Sequence, residues 1–390
     1  MTNYDAIMIG GGVMACATAY HLLKSDSSLK VAIIEKDPTY RLSSTILSDG
    51  NLRIQFNIKE NIQISQYGLE VLASFGEEMA VGDNKPDIGF RQEGNLFLTG
   101  EDGVDYAQAG MTLQQSLACT VEWLTADDVQ ARYEFIDKTT ISGGTFSAGD
   151  GTMDPQAVLM GYKNKAIDLG ADYIVGEVVD VITEKTRVTG VQLADGTQHN
   201  SPFVVNSAGA WGTEIARKIG IDIPVLPTKR QVFHLETMIK PQKTMPLIVF
   251  PSGLYIHHES NNHFLVGKSL PENPVGFDFT FNRQVFIDYV WEELAHHMPI
   301  MEQVKVAGGW AGLYAVNSFD GNAILGELST MQGFILAQGF SGHGFQQCHA
   351  VGRYLSEIIL GKDFSLDLSI FSAERLLNNM PVFENPHKLV

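Results

Sequence analysis

Gly10, Gly12 and Ala15 stand at the spacing Gly-x-Gly-x-x-Ala, with Ala19 further along and Glu35 twenty residues beyond Ala15. That set has a definite chemical use. A first glycine lets a strand turn sharply into a helix, and a second leaves room for a pyrophosphate against the backbone. Small residues at 15 and 19 let the helix lie close to the sheet. The helix opening at Val13 and Met14 then offers free N–H groups and the positive end of its dipole to phosphate. Glu35, followed by Lys36, falls where a carboxylate accepts hydrogen bonds from a ribose 2′-hydroxyl. It would also repel a 2′-phosphate. A Gly-x-Gly motif is weak alone, but with its flanking strands, helix and acidic residue it is a dinucleotide-binding fingerprint.

Three further clusters suggest backbone passing close to the same ligand. In Val205–Trp211 an apolar strand runs into Ser207, Ala208 and Gly209 before Trp211. This is either a close approach to the dinucleotide or simply a tight strand-to-helix turn. Gly339, Phe340, Ser341, Gly342, His343, Gly344, Phe345 and Gln346 lie between the last apolar strand and the C-terminal helix. N–H groups left free there would stabilise the negative charge of a reduced flavin. His343 either contacts flavin or substrate or satisfies the turn. Gly309–Tyr314 places Trp310 and Tyr314 around Gly312, as a flavin wall or as ordinary aromatic packing.

Other chemistries find little support. His343, Cys348 and His349 invite a metal, but no second ligand cluster accompanies them, and the adjacent pairs His257-His258 and His296-His297 make poor chelates; no metal is expected. There is no Gly-x-Ser-x-Gly, no His-Glu-x-x-His and no P-loop lysine. A formal net charge of −18 disfavours nucleic acid and anionic membrane surfaces. Cys16, Cys119 and Cys348 are odd in number and far apart, which predicts no disulfide framework and a reducing, cytoplasmic setting. The stretch from Ala6 to Leu23 has no charged residue, but its three glycines divide it into strand, turn and helix, so no transmembrane segment is expected.

The positioning elements follow from periodicity. Apolar runs at 5–10 and 30–35 around a helical Val13–Lys24 predict a β-α-β unit of a parallel sheet covered on both faces. Helices are expected at 59–80, from Asp154-Pro155 to Leu169, at 282–297 and at 345–360. Strands are expected within 86–99, 173–182, 188–193, 204–206, 229–268 and 333–338. The α/β character thus comes in three separated pieces with two β-rich insertions between them. The reading is an α/β protein with a discontinuous Rossmann-like dinucleotide domain (1–85, 150–220, 305–365), a second, mixed or antiparallel-sheet substrate domain (86–149, 221–304) and a C-terminal tail (366–390).

In this order the four motifs resemble the FAD-dependent amine and amino-acid oxidoreductases of the D-amino-acid oxidase family, over nearly the whole chain. Ser44–Ser48, Gln55-Phe56 with Glu60–Ile62, Trp310–Tyr314, Asn317–Asp320 and Asp367–Phe371 are similar to the branch called FAD-dependent oxidoreductase domain-containing proteins. The resemblance implies FAD and a substrate domain over the flavin. It places Ser43, Ser44, Thr45, Asn51, Leu52 and Arg53 along the path from pyrophosphate to flavin, Val178 at the adenine end, and Gly312 with 339–346 around the isoalloxazine. Tyr255, Trp310, Tyr314, Gln346 and Arg53 are the implied substrate-side residues.

Departures from the family refine this. Gly312 stands where monomeric sarcosine oxidases carry the cysteine that tethers flavin, and no histidine lies near Ser43-Ser44, so FAD is expected to be noncovalent. Gln346 replaces a substrate-binding lysine. Leu265, before Gly267, replaces the lysine that promotes reaction with oxygen, and Lys268 is out of phase. The expected activity is oxidation of a secondary amine or amino acid (sarcosine-, proline- or opine-like) by hydride transfer to flavin N5. Electrons would pass to an acceptor, by a dehydrogenase more than by an efficient oxidase. The alternatives are a D-amino-acid or 2-hydroxy-acid dehydrogenase, and an FAD-containing assembly factor for a respiratory complex, the role of a mitochondrial member of that branch. An oligomer is compatible with all of these.

Overall fold

The computed structural model describes residues 2–384. Ala6–Ile9 and Val31–Glu35 pair in parallel, and the sheet continues in parallel to Asp172–Val175 on one side. On the other side it continues through Val204–Asn206 to Met331–Gln338. Alternate residues of these strands point to opposite faces. Met8, Ile33, Val205 and Ile335 enter a core shared with the Val13–Ser25, Lys59–Glu78, Pro155–Asp168 and Gly344–Leu360 helices. Ile7, Ile34, Val204 and Phe334 enter a second core on the far face. Burial on both faces is why these strands read as unbroken apolar runs.

Small residues set the helix packing. A Cβ on Gly352 would lie 2.8 Å from the Ala17 Cβ, so the last long helix crosses the first almost backbone to backbone. Asp154 caps the Pro155–Asp168 helix by accepting from the N–H groups of Gln156 and Ala157, with Pro155 in the first turn, as its sequence predicts.

A second sheet of eight strands runs in the order Lys305–Asn317, Val225–Glu236, His263–Gly267, Tyr255–Ser260, Leu247–Val249, Asn95–Thr99, Gly143–Ser147, Val121–Thr125. All its pairings are antiparallel except Leu247–Val249 with Asn95–Thr99. One face, carrying Phe233, Leu235, Ile248, Ile256 and Phe264, packs on Phe286 and Leu294 in an apolar core. The other face turns Arg230, Val232, Leu247, Val249 and Tyr255 toward the first sheet. This is the mixed α/β architecture expected.

Several element boundaries differ from the sequence reading. Lys305–Asn317, grouped there with the dinucleotide domain, pairs along its length with Val225–Glu236 in the second sheet. The helix expected at 282–297 is two short ones, Gln284–Tyr289 and Trp291–His297, separated at Val290, whose φ of −118° departs from the regular helical value of about −63°. Only Asn95–Thr99 of the 86–99 stretch forms a strand. The Val104–Ser116 helix was not anticipated, because it buries only Gly110 and Gln114 and so shows no apolar stripe. Residues 369–377 of the expected tail fold back through a Ser369–Phe371 turn and a Glu374–Leu377 helix, while 385–390 lie outside the described residues.

Candidate active site

A single cavity of about 550 Å³ runs between the two sheets, from the glycine turn to the roof formed by the second sheet. At its first end Gly10 has φ +89°, and a Cβ there would meet the Ser207 carbonyl at 2.9 Å. The turn therefore demands glycine in both conformation and space. Gly12 precedes the Val13–Ser25 helix without a capping side chain, and no acidic residue lies in its first turn. The positive end of that helix is left unneutralised at the cavity, as phosphate binding requires. Thr45 Oγ1 accepts from the Val13 N–H at 3.3 Å. Glu35 accepts from the Gly11 N–H (2.6 Å) through Oε2 and from the Asp37 N–H (2.7 Å) through Oε1, which fixes the carboxylate at the cavity edge. Lys36, whose Nζ lies 4.2 Å over the Trp211 ring, lines this end with Val178, Ser207, Ala208 and Gly209.

The middle of the cavity is bordered by Ser43, Ser44 and Thr45 on one side and the start of the Gly344–Leu360 helix on the other. Ser44 Oγ donates to the Leu313 carbonyl at 2.7 Å, tying this loop to the strand that carries Gly312. Gly342 has φ +101°, and a Cβ on it would strike the Tyr314 ring at 2.4 Å. His343 precedes the helix without a side-chain cap, and the first turn again carries no acid. A second helix N-terminus thus faces the same cavity.

Polar side chains converge at the far end. Asp150, fully buried, accepts from the Ile54 N–H (3.1 Å) and the Ser147 hydroxyl (2.8 Å), which anchors the segment carrying Arg53. Gln346 Oε1 accepts from the Arg53 N–H at 2.8 Å. The Arg53 guanidinium contacts His343 Nε2 at 3.1 Å and lies over the Phe56 ring. Burial, with the charge of Arg53, pushes the His343 pKa down to about 3, so the ring is neutral and accepts at Nε2. Trp310 Nε1 donates to the Leu47 carbonyl at 3.1 Å. The Tyr255 hydroxyl donates to Asp49 Oδ2 at 2.5 Å, and burial raises both their pKa values.

The residues singled out from the sequence for cofactor and substrate border this cavity apart from Ala15, Leu52 and Gly339, and Ala15 is buried in the first core. Leu52 is fully buried in the first core, where its Cδ1 would lie 2.9 Å from a Cβ on Gly68. Gly339 packs against Asn317 and Val225, one residue short of the lining. At the far end of the cavity the charged residues Asp49 and Arg230 went unnoticed in the sequence. Arg230 shares a strand with Val232, and its guanidinium lies 5.3 Å from the Tyr314 ring centre. Its Nη1 donates to the Lys229 carbonyl at 3.1 Å, while its Nε is buried without a partner. Strand alternation could have found it, since Lys229 turns the other way to pair with Asp278. Among the described residues no group of three or more His, Cys, Asp or Glu could hold a metal, and no helix is long and apolar enough to cross a membrane.

The cavity thus suits an extended dinucleotide: a glycine turn and a helix N-terminus for the pyrophosphate, a carboxylate for the ribose, and a second helix N-terminus further on. Comparison with known proteins agrees. The chain is 31% identical to FAD-dependent oxidoreductase domain-containing protein 1 of Xenopus laevis, over 97% of this chain and 84% of that protein. It is 24% identical to glycine oxidase of Geobacillus kaustophilus, over 97% and 99% of the two chains. Its fold matches the crystal structure of L-proline dehydrogenase from P. horikoshii with a TM-score of 0.87 at 24% identity, over 98% and 100% of the two chains. Residues 5–358 match the DAO family model, FAD dependent oxidoreductase, and the chain belongs to that family of FAD-dependent oxidoreductases.

Proposed function

We propose that this flavoenzyme oxidises the C–N bond of a small secondary amine or amino acid, sarcosine-, proline- or opine-like, using noncovalently held FAD. The observation that carries this reading is the far end of the cavity. There Arg230 keeps a buried Nε without a partner beside Tyr314 and Tyr255, under Leu247, Val249 and Trp310. An unpaired buried guanidinium matches a substrate carboxylate, and the aromatic and aliphatic walls match a small side chain or ring. The glycine oxidase and L-proline dehydrogenase among its relatives act, by their names, on amino acids of this size.

Bound FAD supplies a hydride acceptor, and the residues of this chain supply binding and orientation. Arg230, held by the Lys229 carbonyl, takes the carboxylate. Trp310, pinned by Leu47, and Tyr314, backed by Gly342, confine the substrate and exclude water. The uncapped start of the Gly344–Leu360 helix and Arg53 give the far end positive potential where negative charge develops during reduction.

Noncovalent attachment is supported by the lining: among the described residues no cysteine borders the cavity, and His343, the one histidine there, has its Nε2 on Arg53. The dehydrogenase reading is supported by the lysines. Among the described residues, Lys36 and Lys218 are the lysines that border the cavity; Lys36 lies over Trp211 and Lys218 ends the Gly212–Arg217 helix. Lys268 is paired with Glu293. Three free, buried, widely separated cysteines support a reducing, cytoplasmic setting.

The test is an anaerobic visible spectrum of the holoenzyme before and after adding secondary amines, L- and D-amino acids and 2-hydroxy acids. Bleaching by a stoichiometric amine or amino acid that persists when air is admitted supports the dehydrogenase, and prompt return of the flavin colour an oxidase. Bleaching by 2-hydroxy acids alone replaces the substrate class. A flavin that none of them bleaches favours the assembly-factor reading.

A further inference from the structure

Asp49 has no task in this reading, yet it is built into the site with care. Gly50, at φ +71°, turns the chain just after it, and a Cβ there would fall 2.0 Å from the Met153 carbonyl. The Gly50 N–H donates to Ser48 Oγ at 3.1 Å, and the Gly50 carbonyl accepts from the Met153 N–H at 2.9 Å. The turn therefore holds Asp49 at the cavity wall. One carboxylate oxygen, Oδ2, accepts from Tyr255, whose ring lies over Gly267. The other, Oδ1, is buried and has no partner.

A buried carboxylate oxygen without a donor is costly unless a ligand supplies one. The groups that act on Asp49 electrostatically are few. Tyr255 comes from the second sheet, with His257 two residues along the same strand and Glu259 beyond it. The Tyr314 hydroxyl and Arg230 complete the cluster around Tyr255. This end of the cavity thus holds opposite charges with free buried atoms: Nε of Arg230 and of Arg53 on one side and Asp49 Oδ1 on the other. That arrangement is complementary to a zwitterion.

We propose that Asp49 Oδ1 receives the substrate's amine N–H and takes the proton that an ammonium must lose before oxidation. The inference rests on the amine-oxidising reading above. An ammonium nitrogen has no lone pair with which to form a C=N bond. Transfer of one N–H proton to Oδ1 turns the carboxylate into a carboxylic acid and leaves a neutral amine. The lone pair is then free to close the C=N bond as the adjacent C–H is lost as hydride, for which FAD, when bound, would be the two-electron acceptor. Burial raises the affinity of Asp49 for that proton, and the Tyr255 hydroxyl occupies Oδ2, which leaves Oδ1 as the oxygen without a donor.

The experiment compares two flat acids that differ in one ring atom, pyrrole-2-carboxylate (N–H) and 2-furoate (O), as titrants of the flavin absorbance in the holoenzyme. The wild-type protein is expected to bind the pyrrole acid on the order of 10- to 100-fold more tightly, the worth of one charge-assisted hydrogen bond. Asp49→Asn, whose amide can accept from N–H or donate to oxygen, removes the preference; Asp49→Ala removes it by deleting the partner. Equal wild-type affinities would overturn the role of Asp49 while leaving the carboxylate site intact. A preference that survives in both FAD-loaded variants would do the same. If neither acid binds the wild-type holoenzyme, the amino-acid reading falls and this inference falls with it.

Discussion

Replacing Arg230 by methionine separates binding from folding in a way that tests the site directly. The guanidinium offers a substrate carboxylate its buried, unpartnered Nε, and its Nη1 is steadied by the Lys229 carbonyl. With the Asn273 amide turned to satisfy its own contacts, its oxygen also accepts from Nη1 at 2.7 Å. Hydrogen bonds to a charged group contribute about 1.5–3 kcal/mol each. Loss of this contact should therefore weaken a carboxylate ligand by about 1.5–3 kcal/mol, a factor of roughly 12 to 140 in Kd. Methionine nearly matches the length of the side chain and brings no charge into the wall. Because burial already opposes the charge of Arg230, folding stability should change by less than about 1 kcal/mol, or rise. Arg230→Lys keeps the charge but loses the planar fork, and should fall between. The assay pairs a titration of the flavin absorbance with pyrrole-2-carboxylate against thermal unfolding of the FAD-free protein. An unchanged Kd in an Arg230→Met protein that retains its flavin would refute the carboxylate assignment and shift it to Arg53.

Three further outcomes follow from the structure. Gly10→Ala forces a side chain into a left-handed conformation, costing about 1–2 kcal/mol, and into the Ser207 carbonyl; the purified protein should carry far less than one FAD per chain, and full occupancy would remove this turn from the pyrophosphate site. Arg375→Met strands the fully buried Asp320, which otherwise holds the guanidinium at 2.8 and 3.0 Å; denaturant unfolding should show a loss of about 3–5 kcal/mol, and a loss below about 1 kcal/mol would show that the C-terminal anchor contributes little. Acid should destabilise the FAD-free protein: burial lowers His21 and His343 to about 3 and His349 to about 4, so the unfolded chain takes up these protons below about pH 6.5 while the folded state resists them. Stability then falls as pH drops from about 6.5 toward 3, by at most about 1.4 kcal/mol per pH unit for each histidine. Asp150, raised to about 7, acts in the opposite sense between about 3.8 and 7, as do Asp49, Glu327 and Glu384, which burial also raises; His258 and His297, lowered by burial, add to the loss. A melting temperature that is flat from pH 7 to 4 would contradict those burial effects.

How much of this was legible depended on whether a signal was local. The glycine turn, its strands and Glu35 form one contiguous β-α-β unit, so spacing alone pointed to a dinucleotide and to the sheet around it, while FAD in particular came from the family resemblance. The Asp154-Pro155 helix start was equally plain, since a cap and its helix are neighbours in the chain. The Val104–Ser116 helix left no such mark because its buried residues are Gly110 and Gln114, which carry no hydrophobic periodicity. The break at Val290 was hidden for the opposite reason: the apolar pattern runs on across it, with Phe286, Val290 and Leu294 all entering the same core. Leu52 and Gly339 sit within motifs that do reach the cavity, and only the turning of the chain takes them out of it.

By itself the sequence determined the dinucleotide fingerprint, the parallel sheet covered on both faces and the glycine-rich approach of the last helix, because backbone conformation and strand burial are written in consecutive residues. Tertiary structure alone decided what the far end of the cavity contains. Asp49 and Tyr255 are 206 positions apart, and Arg53 and His343 are 290 apart. Arg230 becomes a site residue only because the second sheet turns one face of its strands over the first. Charge that acts chemically depends on burial and on partners brought from distant segments, and neither can be read along the chain.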